Sequence, residues 1–152
     1  MEQKTTVHAE ENRQEIHIAR EFDLPLPLLF KAYTDPEIVE QWMGTKVLKL
    51  ENKRHGSWAF ETTDPKGNKH NFNGVIHEFV TNEKITRTFE MENTSFPVQL
   101  EFLEFNKLTD NSSKIKMQIV YKSVELRDQM LQLPFKQGIN MAHDRLQNLF
   151  KK

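Results

Sequence analysis

One arginine is the residue of this sequence best placed to bind a charged group. Arg87 stands in the segment KITRTFEM, in phase with Ile85, Phe89 and Met91, and such alternation is typical of a strand with one buried face. A buried guanidinium is costly unless a partner compensates its charge. Two interpretations are open: Arg87 binds a ligand carboxylate or phosphate, or it pairs with a carboxylate of the protein unless a bulge turns it outside. We favour the second.

Other groups able to take part in catalysis form no recognisable constellation. His143 lies on the flank of a C-terminal apolar stripe, where it either contacts a cavity wall or sits exposed at the edge, and we favour the exposed edge. His77 and Glu78 are neighbours on a predicted strand and point to opposite faces, so they form no dyad. Asp144 and Arg145 are expected to form a surface pair.

The sequence therefore predicts no catalytic residue, no metal site and no cofactor. It contains no cysteine, which excludes disulfides and thiolate ligands. No helical i,i+4 pair and no carboxylate at ligand spacing accompanies the remaining histidines, which are His8, His17, His55, His70 and His77. Phosphate-binding, dinucleotide-binding and nucleophile-elbow motifs are also missing from the sequence.

Composition narrows the classes of partner. The formal net charge is -1, so the chain has no basic footprint for nucleic acid. No segment approaches the roughly 18 apolar residues of a membrane span, and the polar N-terminus shows no signal peptide, so we expect a cytoplasmic protein. The 152 residues predict a flexible N-terminal arm over residues 1–13 and one domain over residues 14–152. Phe occurs 11 times, which suits a thick core or an apolar pocket.

Alternating and helical patterns give the order of the elements. A strand from Gln14 precedes two short helices, LPLLFKAY and a second helix that begins at Asp35-Pro36. Six further strands follow in segments with apolar residues at every second position. Leu48 and Leu50 are expected on one side of the first of these strands, and Val98, Leu100 and Phe102 on one side of the fifth. The six segments are KVLKLENK, SWAFETT, HNFNGVIHEFV, KITRTFEM, VQLEFLEF and KIKMQIVYKS.

The last predicted element is one long helix from about Arg127 to Lys152. Its apolar stripe recurs at three- and four-residue steps through Leu131, Phe135, Ile139, Ala142, Leu146 and Leu149. Pro134 lies inside this span and lacks an amide donor. We therefore expect either a kink near Met130–Pro134 or a true helix start close to Leu133.

Four motifs in chain order resemble a known family. The first is Thr34-Asp35-Pro36-Glu37 followed by Trp42 and Gly44; the others are NKRHGS with Arg54 and Gly56, FNGVIHEF, and GINMAHDRL with Gly138, Asp144, Arg145 and Leu146. The set is similar to the helix-grip superfamily of birch-pollen allergens and steroidogenic lipid-transfer domains. Within it, the chain resembles the branch homologous to the C-terminal domain of the activator of the ninety-kilodalton heat-shock protein ATPase.

The resemblance implies an α+β helix-grip fold, in which a curled antiparallel sheet of about seven strands surrounds a long C-terminal helix. It also implies a cavity between sheet and helix that either binds a small apolar ligand or is filled by core side chains. The residues expected to line it are Trp58, Phe60, Ile76, Arg87, Phe89, Met117, Tyr121, Phe135, Ile139, Ala142 and His143.

Two alternative functions follow from the same resemblance. One is regulation of a chaperone ATPase. That activator grips the chaperone with an additional N-terminal domain, which this sequence lacks, so we do not favour this function. The other is a cyclase- or hydrolase-like enzyme, which would need an acid, a base or paired carboxylates inside the cavity. The sequence specifies neither the ligand nor the oligomeric state.

Overall fold

The computed structural model describes residues 4–151, so the first three residues of the predicted arm and the last residue of the predicted helix lie outside the described residues. Within this range the chain forms eight strands and four helices. In chain order they are β1 (Thr6–His8), β2 (Glu15–Phe22), α1 (Leu26–Thr34), α2 (Pro36–Met43), β3 (Lys46–Leu50), β4 (Ser57–Thr63), β5 (Lys69–Val80), β6 (Lys84–Met91), β7 (Gln99–Thr109), β8 (Ser112–Val120), α3 (Val124–Gln132) and α4 (Phe135–Leu149).

All eight strands form one curled antiparallel sheet in the order β1-β2-β8-β7-β6-β5-β4-β3. Helices α1 and α2 carry the chain from β2, near one end of this order, to β3 at the other end. The apolar side of α4 faces the inner surface of the sheet. This arrangement confirms the predicted fold class.

The extra strand relative to the prediction comes from the N-terminal segment. Thr6–His8, which the sequence places in the arm, pair with β2 in a register that sets Val7 opposite Ile18. The guanidinium of Arg127 in α3 donates to the carbonyl oxygens of Glu10 at 2.7 Å and Glu15 at 3.2 Å, which holds the following turn against the domain. The domain boundary at residue 14 stays a prediction.

Helices α1 and α2 begin and end where the sequence predicts. The Asp35 carboxylate accepts from the amide of Glu37 at 3.0 Å, and Gly44 ends α2 with a left-handed φ of 63°. The indole of Trp42 donates to the carbonyl of Ala32 at 2.7 Å, so each helix fixes the other. Beneath them, the ring of Phe30 packs 4.9 Å from that of Phe105 and closes this end of the sheet.

The predicted C-terminal helix is broken at its proline. Helix α3 ends at Gln132, Leu133 is extended with ψ of 162°, and Pro134 caps the N-terminus of α4. The break agrees with the predicted start near Leu133, because proline can neither donate to the preceding turn nor follow a helical residue without a clash. The long helix is therefore two helices, of which α4 carries most of the apolar stripe.

Two strands depart from the faces that the sequence predicts. In β3 a register shift between Val47 and Lys49 separates the predicted pair: Leu50 packs against the core, whereas Leu48 is 51% exposed. In β7 the buried residues are Gln99, Glu101, Leu103 and Phe105, whereas Phe102 lies on the outer side. Both faces of this strand carry apolar residues, so alternation alone could not choose between them.

Candidate functional site

A cavity of about 420 Å³ lies between the inner face of the sheet and helices α3 and α4. The sheet contributes aromatic and thioether side chains, among them Trp58, Phe89 and Met117. Helix α3 contributes Met130, helix α4 contributes Phe135, and Leu133 at the break between the helices also lines the cavity. Leu133 is 47% exposed, so it lies where the cavity meets solvent.

Nine of the eleven residues that the sequence proposes for the cavity line it. They are Trp58, Phe60, Arg87, Phe89, Met117, Tyr121, Phe135, Ile139 and Ala142. The other two, Ile76 and His143, are buried but belong to the surrounding core. The part of these residues in binding a ligand stays a prediction.

Three rings, those of Trp58, Phe60 and Phe89, form an aromatic wall of the cavity and are held against the sheet. The indole of Trp58 donates to the carbonyl of Thr88 at 3.2 Å, and its ring lies 4.8 Å from Phe60 and 5.7 Å from Phe89. Opposite Trp58 in the sheet stands Gly74, where a Cβ atom would come within 1.9 Å of the Thr88 carbonyl oxygen. Glycine at this position therefore allows the close approach of β6 that sets the indole in place.

Arg87 points inward and has a protein partner, as the favoured interpretation holds. Its Nε donates to Oε1 of Glu101 at 2.9 Å, and the two residues stand directly opposite each other on β6 and β7. The other carboxylate oxygen of Glu101 accepts from Gln99 at 3.1 Å, and the guanidinium carbon lies 5.0 Å from the ring centroid of Trp58. These three polar side chains lie together in the wall of a mostly apolar cavity.

Sequence reasoning missed Gln99 and Glu101, which line the cavity beside the nine predicted residues. One signal could have found Glu101. An inward arginine needs a carboxylate, and the strand that follows β6 in the chain carries one within reach in the inward phase. Assigning Glu101 inward would also have corrected the predicted face of β7.

Tyr121 follows β8 and lines the cavity, with its hydroxyl buried within the wall. The residue is 5% exposed, and its hydroxyl forms no hydrogen bond with the described residues. Burial raises the pKa of Tyr121 well above its usual value, and the Glu101 carboxylate raises it further. The phenol is therefore neutral and keeps its proton to donate.

His143 is fully buried, so the favoured exposed-edge interpretation is wrong. Its Nδ1 lies 2.7 Å from Oγ1 of Thr5 and its Nε2 lies 3.4 Å from the hydroxyl of Tyr33. The N-terminal segment before β1, which the sequence assigns to an arm, covers this side of α4. The pKa of His143 is lowered to about 3, chiefly by burial and also by the Arg20 guanidinium, while the Asp144 carboxylate opposes the change.

Asp144 and Arg145 do not pair with each other, which corrects the predicted surface pair. Asp144 accepts from the buried guanidinium of Arg20 in β2 at 2.9 Å. Arg145 donates from Nε to the carbonyl oxygen of Trp42 at 3.0 Å, at the end of α2. The two motif residues therefore fasten α4 to the sheet on one side and to α2 on the other.

Among residues 4–151, no helix is both long enough and apolar enough to cross a membrane.

Comparison with known proteins agrees with this architecture. The model of the family described as activator of Hsp90 ATPase homolog 1-like protein matches residues 23–151. No curated protein matches the sequence.

Solved structures share the fold over nearly the whole chain. Protein Ms6760 from Mycobacterium smegmatis is 20% identical, covers 96% of each chain and has a TM-score of 0.86. A protein from Rhodobacter sphaeroides is 15% identical, with 96% of this chain and 97% of that one covered and a TM-score of 0.87. CalU16 from Micromonospora echinospora is 20% identical over 99% of this chain and 83% of its own, with a TM-score of 0.69.

At these identities the solved structures speak for the fold alone, which is the helix-grip fold. The family match covers most of the chain and includes the motifs around α2 and α4. The chain belongs to the family of activator of Hsp90 ATPase homolog 1-like proteins.

Proposed function

We propose that this protein binds a small apolar molecule in the cavity between the sheet and helices α3 and α4. The observation that carries the proposal is the cavity itself, about 420 Å³ of space walled largely by aromatic, aliphatic and thioether side chains. Sites for small molecules are commonly 300–1,000 Å³ in volume and mostly apolar, with a few polar groups. Each Å² of apolar ligand surface hidden from water contributes about 25 cal/mol to binding.

The enzymatic alternative would need an acid or base in the cavity that is free to exchange a proton with a substrate. Glu101 is the carboxylate in the wall, but one of its oxygens accepts from Arg87 and the other from Gln99. Both oxygens therefore already accept a hydrogen bond from the protein. The geometry favours a binding protein over a cyclase- or hydrolase-like enzyme.

A neutral apolar dye tests the proposal. We expect Nile red to bind with a dissociation constant in the micromolar range, which corresponds to about 8 kcal/mol. Ala142 faces the cavity from α4, so Ala142→Trp should fill the space and abolish the fluorescence increase, at a stability cost of about 1–3 kcal/mol from overpacking.

The chain offers a matched control one residue away. Met141 lies on the same helix and is 52% exposed, so Met141→Trp adds the same indole outside the cavity and should keep wild-type dye binding. Equal binding by both variants, or no binding by the folded wild type, would contradict the proposal.

A further inference from the structure

Two of the three nitrogen atoms of the Arg87 guanidinium are free to bind a ligand. Nε donates to Oε1 of Glu101, whereas Nη1 and Nη2 form no hydrogen bond with the described residues. The side chain is only 9% exposed, yet neither Nη atom is fully enclosed, and the residue lines the cavity. Buried polar groups in native proteins almost always have a partner. The cavity is therefore the place from which an acceptor can reach these N–H groups.

The protein holds this guanidinium in place before any ligand arrives. Glu101 fixes its Nε side, and the second oxygen of Glu101 is itself held by Gln99 at 3.1 Å. The guanidinium carbon lies 5.0 Å from the ring centroid of Trp58, which also lines the cavity. A group that is already ordered loses little freedom when a ligand binds, so more of its interaction energy appears as affinity.

The free edge of the guanidinium suits a single carboxylate. Nη1 and Nη2 lie on the far side of the guanidinium carbon from Nε, and their N–H groups match the two oxygens of one carboxylate. A carboxylate bound there is nearer to the cation than to the Glu101 carboxylate, so attraction exceeds repulsion. Among the described residues that line the cavity, Arg87 is the only cation. A dianionic phosphate would bring a second negative charge that no lining residue compensates.

We infer that the cavity takes an apolar molecule carrying one carboxylate, and that this carboxylate accepts hydrogen bonds from Nη1 and Nη2 of Arg87. The apolar part of the ligand then lies against the aromatic wall. The inference rests on the proposed function, since it names the chemical class that the same cavity binds.

Three naphthalene probes of similar size test the inference. At neutral pH 2-naphthoate carries a carboxylate, 2-acetylnaphthalene a neutral carbonyl, and 2-ethylnaphthalene no acceptor. Their dissociation constants are measured by displacement of Nile red from wild type and from Arg87→Lys, in which lysine keeps a positive charge beside Glu101 but lacks the planar fork. Loss of a hydrogen bond to a charged group corresponds to about a tenfold to hundredfold change in affinity, so the preference for 2-naphthoate over 2-ethylnaphthalene should fall by that factor.

Two further variants complete the test. Arg87→Met combined with Glu101→Leu removes the fork together with its partner and leaves no unpaired charge, so it should fold and lose at least as much of the preference for 2-naphthoate. Arg20→Lys is the matched control, because it makes the same change at a buried arginine that pairs with Asp144 and does not line the cavity. This control should keep the wild-type ratio of the two affinities.

The outcomes separate the inference from the proposed function. If either folded Arg87 variant keeps the wild-type ratio, or if wild type binds 2-ethylnaphthalene but not 2-naphthoate, the inferred ligand class is overturned while apolar binding stands. An equal loss for 2-acetylnaphthalene and 2-naphthoate in Arg87→Lys also overturns it, because the group recognised would then be a neutral carbonyl. If neither Nile red nor any probe binds the folded wild type, the proposed function fails and the inference fails with it.

Discussion

The buried His143 predicts how the stability of this protein depends on pH. In the folded state its pKa is lowered to about 3 from the ordinary value of 6.5, chiefly by burial. When the pH falls below 6.5, the unfolded chain takes up a proton at this position and the folded chain does not. Stability is therefore fully present above pH 6.5 and decreases as the pH falls towards 3.

The size of the effect follows from linkage. One pKa unit corresponds to 1.36 kcal/mol, so His143 should lower the free energy of unfolding by about 2 kcal/mol between pH 7 and pH 5. The charged groups that act on His143 are Arg20 and Asp144, which form an ion pair with each other at 2.9 Å. The pKa values of three carboxyl groups, Glu15, Glu51 and Asp64, are also lowered, chiefly by hydrogen bonds. Their contributions to stability are therefore lost at a lower pH than the range from pH 7 to pH 5.

Urea unfolding followed by tryptophan fluorescence at pH 5, 6 and 7 measures the change. His143→Gln removes the titration, so its free energy of unfolding should be nearly flat over the same range, although lower at pH 7 because the bond to Thr5 is disturbed. His77→Gln is the control, since His77 is exposed on β5 and its loss should keep the wild-type slope. If His143→Gln still loses about 2 kcal/mol from pH 7 to pH 5, the reasoning about this buried imidazole is refuted.

Two further predictions concern stability. Arg87→Met should destabilise the fold by about 3–5 kcal/mol because it leaves Glu101 buried without its cation. Arg87→Met combined with Glu101→Leu should recover most of that loss. Equal losses of unfolding free energy for the single and double variants in urea melts would contradict the pairing. Gly74→Ala should lower the thermal midpoint because its Cβ would meet the Thr88 carbonyl at 1.9 Å. Gly138→Ala, in α4 with open space around it, should instead gain about 1 kcal/mol, and a Gly74→Ala midpoint at or above wild type would disprove the close approach.

The order of elements could be predicted from sequence because it depends on local rules. Alternation in KIKMQIVYKS matches strand β8, in which Ile115, Met117 and Ile119 are buried. Asp35-Pro36 starts α2, and Pro134 separates α3 from α4. Each of these signals acts within a few residues, through side-chain period, capping or the missing amide of proline.

What sequence could not determine depends on which segments meet. The buried face of β7 follows from its register with β6, which sets Glu101 opposite Arg87, and no pattern within β7 contains that information. His143 is buried among segments far from it in the chain: Thr5, 138 positions away, contacts Nδ1, and the ring of Phe22 in β2 packs 5.4 Å from the imidazole. The open cavity arises because the curl of the sheet leaves space between Trp58 and Ala142. Only the tertiary structure decides the size of this space, because the aromatic rings of the sheet could as well have filled it.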